Sequence, residues 1–510
     1  MATQWQTFPI QFGGGLISNL SPLQHGMSNI GSGSILQNFE PTLDGGYKKV
    51  AGYSKLISTV LPGSGVVQGV AVVTEEGSQK VIAVRNGVYY LTDASAGSPT
   101  WTAKVTASDT NISKIRHLTY NFGGANRIMF VDGVNYPAYY DFTSGAITYL
   151  SGSAASSVNN ASFVTIYKES LVFAVGKTVV FSAPFKDNEF LEALSMGSTV
   201  TGLAVFRDNL IIFCEDKIHK LTGLLAAGNP PANQVITDDI GCIEPDSIHE
   251  VGGDVIFLAP DGIRTISATD RIGDFGLDVA SRPIRSTLND QLATGTQVTS
   301  HIIREKAQYR IFQYTSNERS SVAKGLLATK FIDQGGQGFQ WAELKGFKVY
   351  VCDSNFIGDT ELIVFSNEDG YVYKQETGTS RNGASIDAIF ESAYMPINDP
   401  QVRKTFYKLD LYLKPEGTLS LTAGIKLDRN DANVIQPPVF TITGTGGGAI
   451  YGSTSAIYNT SVYSTPTDET YKTNLVGSGA TVALRIEDNS SNPSFTLDTA
   501  VLEYTIEDRQ

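Results

Sequence analysis

Five histidines, three cysteines and scattered carboxylate pairs are the side chains through which this 510-residue chain could move protons, hold a metal or attack a substrate. His25, His117, His219, His249 and His301 stand alone, with no His-x-His or His-Glu-x-x-His spacing and no companion cysteine pair, so a zinc site is not expected. His219 falls in the second strand of a hairpin and His117 beside a strand, positions that suit hydrogen-bonded structural imidazoles. Cys214, Cys242 and Cys352 are too few and too scattered for a disulfide framework, form no CxxC, and read as small core residues. Asp238-Asp239 and Glu487-Asp488 make a glycosidase pair only if folding sets two carboxyls roughly 5–9 Å apart. No sialidase-type Asp box accompanies them, and acidic pairs of this kind are usually solvated turns. Asp353–Glu361 (DSNFIGDTE) resembles a calcium loop only loosely, lacking the alternating ligands and the terminal glutamate spacing. Serine is abundant without a Gly-x-Ser-x-Gly elbow. Gly13-Gly14-Gly15 has no following Lys-Ser/Thr, no apolar strand before it and no helix pattern after it, so close backbone packing or a hinge is expected there rather than a phosphate loop. The expectation is a non-enzyme: no catalytic, cofactor-binding or metal-ligating residue is assigned, and no cofactor is called for.

Charge narrows the partners. Lysines and arginines number 38 against 51 aspartates and glutamates, a net charge of −13, whereas tight nucleic-acid binding needs a basic surface. Any contact with DNA is therefore expected to be loose. The N-terminus has no basic region followed by an apolar run, and no window approaches about 18 apolar residues, so neither a signal peptide nor a membrane span is expected. The protein reads as soluble and folded in a cytoplasm, where sequons such as that at Asn111 carry no weight.

The elements that would position such residues are β-strands. A Gly count of 50, with 41% hydrophobic and 17% charged residues, favours short strands and tight turns in substantial cores. One pattern recurs: an apolar run, a turn containing Gly, Asp or Asn, then a second apolar or aromatic run. It appears at Val81–Asp93, Ile128–Asp141, Leu171–Pro184, Leu210–Gly223, Val255–Ala268 and Leu362–Glu376, with a degenerate copy beginning at Ile311. The separation averages roughly 45 residues, the length of one four-stranded propeller blade. Asn86-Gly87, Asp132-Gly133, Asp261-Gly262 and Asp369-Gly370 are turn dipeptides able to take positive φ, so each copy reads as a hairpin. The first run of each copy is nearly all apolar, as in a strand covered on both faces. Stacked around an axis, such hairpins bury what they cannot bury alone. The chain is expected to be all-β: a β-propeller of about six to eight blades over residues 66–383, after an N-terminal arm with minor β structure at 1–65. A string of β-sandwiches with evenly spaced hairpins is the competing arrangement.

Residues 188–195 (NEFLEALS) and 281–293 have helical spacing, the second with Ser281 as N-cap, Pro283 in the first turn, and Ile284, Leu288 and Leu292 on one face. After about Gly383 the repeat stops. Alternating segments at Lys408–Leu413, Thr418–Ile425, Val439–Ile442, Val482–Ile486 and Val501–Ile506 predict a C-terminal β-sandwich-like module over 384–510. Within it Gly444–Ser455 and the Ser/Thr/Tyr stretch to Tyr471 read as a long polar loop and a candidate contact surface.

The most informative stretch is Pro9–Tyr53. A Gly-rich start is followed by Asn19-Leu20-Ser21-Pro22, then Leu36-Gln37-Asn38-Phe39-Glu40-Pro41, then Gly45-Gly46-Tyr47-Lys48-Lys49 with Gly52-Tyr53. This tract resembles the opening of the tail nozzle, or packaged-DNA stabilisation, proteins of short-tailed bacteriophages of the podovirus type. The segment SAYMPINDPQVRKTFYKLDLYL, with Arg403-Lys404, looks like their exit from the last blade. The resemblance implies a structural virion protein of the tail, assembled in the host cytoplasm, whose homo-oligomeric ring is typically a hexamer. It further implies partners in a head-tail adaptor and in tail fibre or tail tip/needle proteins. Such a ring retains packaged DNA and conducts it during ejection, with transient passage that is not sequence-specific. An acidic lumen gated by the arm or by inter-blade loops would keep the duplex mobile. The alternative is a phage tail propeller that binds or hydrolyses host surface glycans.

Overall fold

The computed structural model describes residues 5–75, 78–105, 113–122, 124–152, 154–223, 231–267, 279–292, 297–333, 336–444 and 469–507. The architecture is all-β, and the repeated hairpins form a seven-bladed β-propeller. Blade 1 runs through Val67–Glu75, Ser78–Arg85, Val88–Asp93 and Thr102–Val105, and blade 2 through Arg116–Phe122, Ala125–Val131, Ala138–Asp141 and Ala146–Tyr149. Blade 3 comprises Phe163–Tyr167, Ser170–Val175, Thr178–Ser182 and Phe190–Ser195; blade 4 comprises Val200–Phe206, Asn209–Cys214, Ile218–Thr222 and Ala232–Thr237. Among the described residues blade 5 has three strands, His249–Val251, Asp254–Ala259 and Gly262–Thr265. Blade 6 takes Gln297–Ile303, Gln308–Tyr314, Lys324–Asp333 and Gly336–Lys345, so the degenerate copy at Ile311 is a full blade. Each blade is antiparallel, and its first strand neighbours the first strand of the next around the ring, except that the first strand of blade 4 meets Asp254–Ala259, the second strand of blade 5. The apolar run of each copy is the blade's second strand: Ser170–Val175 and Asp254–Ala259, for instance, are buried almost throughout because a blade packs on each face. At Asn86-Gly87 both residues adopt positive φ, the conformation that a two-residue hairpin requires.

Blade 7 is closed from the far end of the sequence. Its strands Val351–Ile357, Thr360–Ser366 and Val372–Gln375 are joined by Tyr53–Lys55, antiparallel to the last of them. Tyr53 is buried with its ring 5.1–5.3 Å from those of Phe347, Phe365 and Tyr373, and its hydroxyl donates to the Gly346 carbonyl. Such aromatic contacts add about 0.5–1.5 kcal/mol each beyond the area they bury.

The first 55 residues therefore do not stand apart from the rest. Gln6–Gln11 pairs with Phe495–Ile506, and Phe39–Pro41 and Tyr47–Lys49 enter the same sheet beside Lys404–Pro415 and Glu469–Gly479. Gly33–Gln37 bridges the last strand of blade 6 to Ala388–Ser392, which continues through Val482–Asp488 and Leu419–Leu427 to Phe440–Gly444. Two sheets thus build the C-terminal sandwich, one of them continuous with blade 6, and one hydrophobic core runs from the sandwich into blades 5 to 7.

Two local expectations resolve differently. Residues 190–195 form the outer strand of blade 3, not a helix: pairing with Thr178–Ser182 overrides the helical spacing of its leucines. The second segment is helical, as Arg282–Ile284 and Arg285–Leu292, but Ser281 makes no side-chain cap. Its hydroxyl accepts instead from the Ile263 amide of blade 5. Beyond Gly444, the polar stretch 444–455 and most of its continuation to Tyr471 lie outside the described residues.

Candidate functional site

At the propeller axis all seven blades contribute to a single cavity. Each first strand begins at the axis, so the residues opening those strands face one another whatever their separation in sequence. The cavity, about 290 Å³, is lined among others by Val70 from blade 1, Arg116 and His117 from blade 2, Phe163 from blade 3, Leu203 from blade 4, His249 from blade 5, Thr299 and Ser300 from blade 6, and Asp353 from blade 7.

Charged groups span it. Asp246, in the turn entering blade 5, accepts from Arg116 Nε at 2.7 Å and from an Arg116 Nη at 3.0 Å, a bidentate pair reaching across to blade 2. Lys114 Nζ lies 2.8 Å from the same carboxylate. Burial favours the neutral acid, but the two cations outweigh it and hold Asp246 far below the usual carboxylate range. The other Nη of Arg116 reaches only the Ser162 carbonyl, at 3.4 Å, and the guanidinium lies over Phe163.

Asp353 braces the ring's closure. It accepts from the Val72 amide of blade 1 at 2.7 Å and sits 3.3 Å from His117 Nε2 of blade 2. Burial would lower the imidazole pKa and raise that of the acid. Their mutual attraction prevails, so His117 titrates above and Asp353 below its ordinary value. His249 Nε2 donates to the Ser300 carbonyl at 2.9 Å, and burial lowers its pKa, so this ring is neutral with Nδ1 as an acceptor. Burial raises the Glu244 carboxyl, with the charge of Asp246 adding to the effect. Crossed by side chains in contact at 2.7–3.0 Å, the axis leaves no passage for a duplex.

Most of the other singled-out residues go elsewhere, while Cys352 lines the same cavity. His25 Nε2 pairs with Ser32 Oγ at 2.6 Å, His219 Nδ1 with Asn233 Oδ1 at 3.0 Å, and His301 stacks on Phe312. Cys214 and Cys242 are buried and their thiols pushed up to about 11, while burial pushes Cys352 up to about 12, so none is a ready nucleophile at neutral pH. Asp488 and Glu487 part company: the first pairs with Lys49 and the second with Arg485. The Asp353–Glu361 stretch is a hairpin, with Asp353 at the axis and Glu361 paired with Arg304 of blade 6 at 2.9 Å. Among the described residues no group of three or more His, Cys, Asp and Glu could hold a metal ion, and no helix is long and apolar enough to cross a membrane.

The N-terminal tract also proves to be structural, residue by residue. Gly15 packs where any Cβ would lie 2.7 Å from the Trp341 backbone nitrogen, and its amide donates to the Tyr47 hydroxyl. Asn38, at φ 56°, accepts from the Lys345 amide and from Arg381 and donates to the Asp387 carbonyl. Phe39 meets Phe495 edge-on, 5.8 Å between centroids. Glu40 is buried between Arg310 at 3.0 Å and Lys306 at 2.6 Å, both of which also pair with Glu376 of blade 7. Lys49 and Asp488, both wholly buried, meet at 2.9 Å and join the two sheets of the sandwich.

Lys114, Arg116 and Asp246 were not singled out by the sequence. Asp246 lies 130 positions from Arg116, and only ring closure brings them together. The trace they leave is a polar residue at the entry to a blade's first strand.

No protein-family model matches the chain, and no curated protein matches its sequence. Among solved structures it is similar to Raptor of Chaetomium thermophilum, at 10% identity and TM-score 0.39 over 64% of this chain and 29% of that one. It is similar to PorZ, a surface component of the type-IX secretion system of Porphyromonas gingivalis, at 13% identity and TM-score 0.39 over 66% of this chain and 42% of that one. It is similar also to the Pan2 WD40 domain of Neurospora crassa, at 8% identity and TM-score 0.40 over 64% and 96%. The chain thus spans less than half the length of the first two. At these scores the likeness carries no argument about function, and the propeller stands on the seven sheets themselves.

Proposed function

We propose that this protein is a structural subunit of a phage-type tail nozzle, a ring that retains packaged DNA and conducts it on ejection. The observation that carries the reading is the placement of the N-terminal tract. The residues through which the sequence resembles nozzle proteins, among them Asn38, Phe39, Glu40, Tyr47, Lys49 and Tyr53, tie the propeller to the sandwich and close blade 7. A motif that specifies how two modules are welded supports a shared architecture more than a shared chemistry. Because the propeller's own axis is crossed by ion pairs, the DNA path in this reading runs between subunits, along the axis of the ring. The net charge of −13 suits a lumen past which phosphates slide without being held.

Electron microscopy of the purified full chain, alone and with candidate adaptor proteins, tests the proposal. The expected result is a closed ring with an acidic lumen wide enough for duplex DNA. A chain that stays monomeric under both conditions, or a ring with a basic lumen, overturns it. Turnover of a host surface glycan by the purified protein would favour the alternative of a glycan-acting tail propeller.

A further inference from the structure

We propose that the axial cavity of the propeller is a binding site for one small oxyanion, a phosphate or carboxylate group. The cavity's charges are unevenly matched. Lys114 and Arg116 share the single carboxylate of Asp246, while Asp353 is engaged by His117 and the Val72 amide. Lys114 is nine-tenths buried, and Asp246 Oδ2 at 2.8 Å is the one acceptor within reach of its Nζ among the described residues, so the ammonium keeps protons to spare. A buried ammonium with unspent donors is costly unless something accepts from it. The outward Nη of Arg116 is similarly under-used, with one long contact to the Ser162 carbonyl.

The remaining titratable groups around the cavity do not cancel this excess. Glu244, beyond Asp246 on the same turn, is not among the residues that line the cavity, and His249 is neutral with an acceptor at Nδ1. A volume of about 290 Å³ accommodates a small polyatomic anion with some of its water and excludes a polymer. In a chain with 13 more acids than bases, a cavity where Lys114 and Arg116 share the one carboxylate of Asp246 departs from the whole. The bound oxyanion would accept from Lys114 Nζ and the outward Arg116 Nη, leaving the Arg116–Asp246 fork in place. The site lies within one propeller and does not depend on subunits assembling into a ring.

Isothermal titration of the full chain at constant ionic strength provides the test, with inorganic phosphate in one arm, glucuronate in a second and neutral glucose in a third. Saturable binding of one equivalent of phosphate or glucuronate, at dissociation constants on the order of millimolar or tighter, is expected, with none of glucose. The arm that binds identifies which oxyanion the cavity takes. Losing one charge-assisted hydrogen bond in Lys114→Met should weaken binding about tenfold or more. Arg116→Lys keeps the charge, protects against a folding failure of the bolder variant, and should weaken binding less. Lys186→Met, away from the cavity, should change nothing. Absence of saturable binding in both anion arms, or equal binding by wild type and a folded Lys114→Met, would overturn the proposal.

Discussion

Replacing Lys49 by Met should loosen the C-terminal sandwich far more than the loss of one ion pair at a surface would. Lys49 Nζ lies 2.9 Å from Asp488 Oδ2 and donates to the Ser490 carbonyl at 2.9 Å, and both charged side chains are about 1% exposed. In the variant, Asp488 keeps the Ser490 amide at 2.7 Å but loses its counter-ion. Removing one member of a buried pair costs about 3–5 kcal/mol, because the survivor stays buried and unpaired. A chain with a propeller and a sandwich has no reason to unfold in one step, so a global melting curve is a poor readout. Hydrogen exchange of the amides in Tyr47–Lys49 and Val482–Asp488 reports the local opening directly. At about 1.4 kcal/mol per decade, the expected acceleration is on the order of 10² to 10³-fold, with blades 2 to 4 unaffected. The double variant Lys49→Met with Asp488→Leu removes both charges and should recover most of the loss, since apolar replacement of a buried pair is often neutral. An acceleration under about fivefold in the single variant, or additive losses in the double, would refute the reasoning that these two residues clamp the sheets together.

Three further outcomes follow from the same geometry. His301 is fully buried against Phe312, and burial, with Arg310 nearby, lowers its pKa to about 3, so below pH 6.5 the unfolded chain takes up a proton that the folded chain refuses. Stability should then fall by about 1.4 kcal/mol per pH unit, reaching about 2 kcal/mol at pH 5, and His301→Phe should flatten that slope in denaturant titrations at pH 5 and 7. The His117–Asp353 pair has the opposite alkaline limb: His117 titrates above 6.5, so its contribution is whole below that value and is lost as pH rises through the folded pKa, while that of Asp353 is lost only in acid. His117→Gln should therefore narrow the stability difference between pH 6 and pH 8, and an unchanged difference would count against the pair. Tyr53→Ala should cost about 3–5 kcal/mol, by analogy with other buried aromatic truncations, and expose the blade 7 edge to limited proteolysis near residues 372–375.

The propeller was legible because its signal is local and repeated. Each blade's second and third strands meet through a short turn, so an apolar run, a turn dipeptide and a second run lie within about 15 residues of one another. Blade 6 nearly escaped, since the turn after Gln308–Tyr314 is longer and passes through Ser320–Val322 before the chain re-enters at Lys324. The outer strand of blade 3 did escape: Leu191, Leu194 and Ala193 carry helical spacing, although the hairpin copy Leu171–Pro184 already contained the strand Thr178–Ser182 with which they pair. What the sequence reading placed in an arm became structure in three sheets, because the partners of Gln6–Gln11, Gly33–Gln37 and Tyr53–Lys55 lie more than 300 residues away.

The axial cavity shows the limit most clearly, and the reason is geometric. A blade's hairpin repeats because every blade must bury the same two faces, but the residue at the head of each first strand meets the axis, where no two blades share an environment. Lys114, Arg116, Asp246 and Asp353 therefore follow no period, and their pairing is set by the order in which the ring closes. The acidic composition pointed away from cations, yet two of them, carried by blade 2, sit at the propeller axis against Asp246 of blade 5, beside the His117 pair with Asp353 of blade 7. Opening blade 7 should accordingly be felt at the axis. If the Tyr53–Lys55 strand is released, Asp353 loses its fixed distance to His117, so the alkaline limb assigned to that imidazole should shrink in Tyr53→Ala as it does in His117→Gln. A full alkaline limb in a Tyr53→Ala protein whose blade 7 edge is open to protease would show that ring closure and the axial pair are independent.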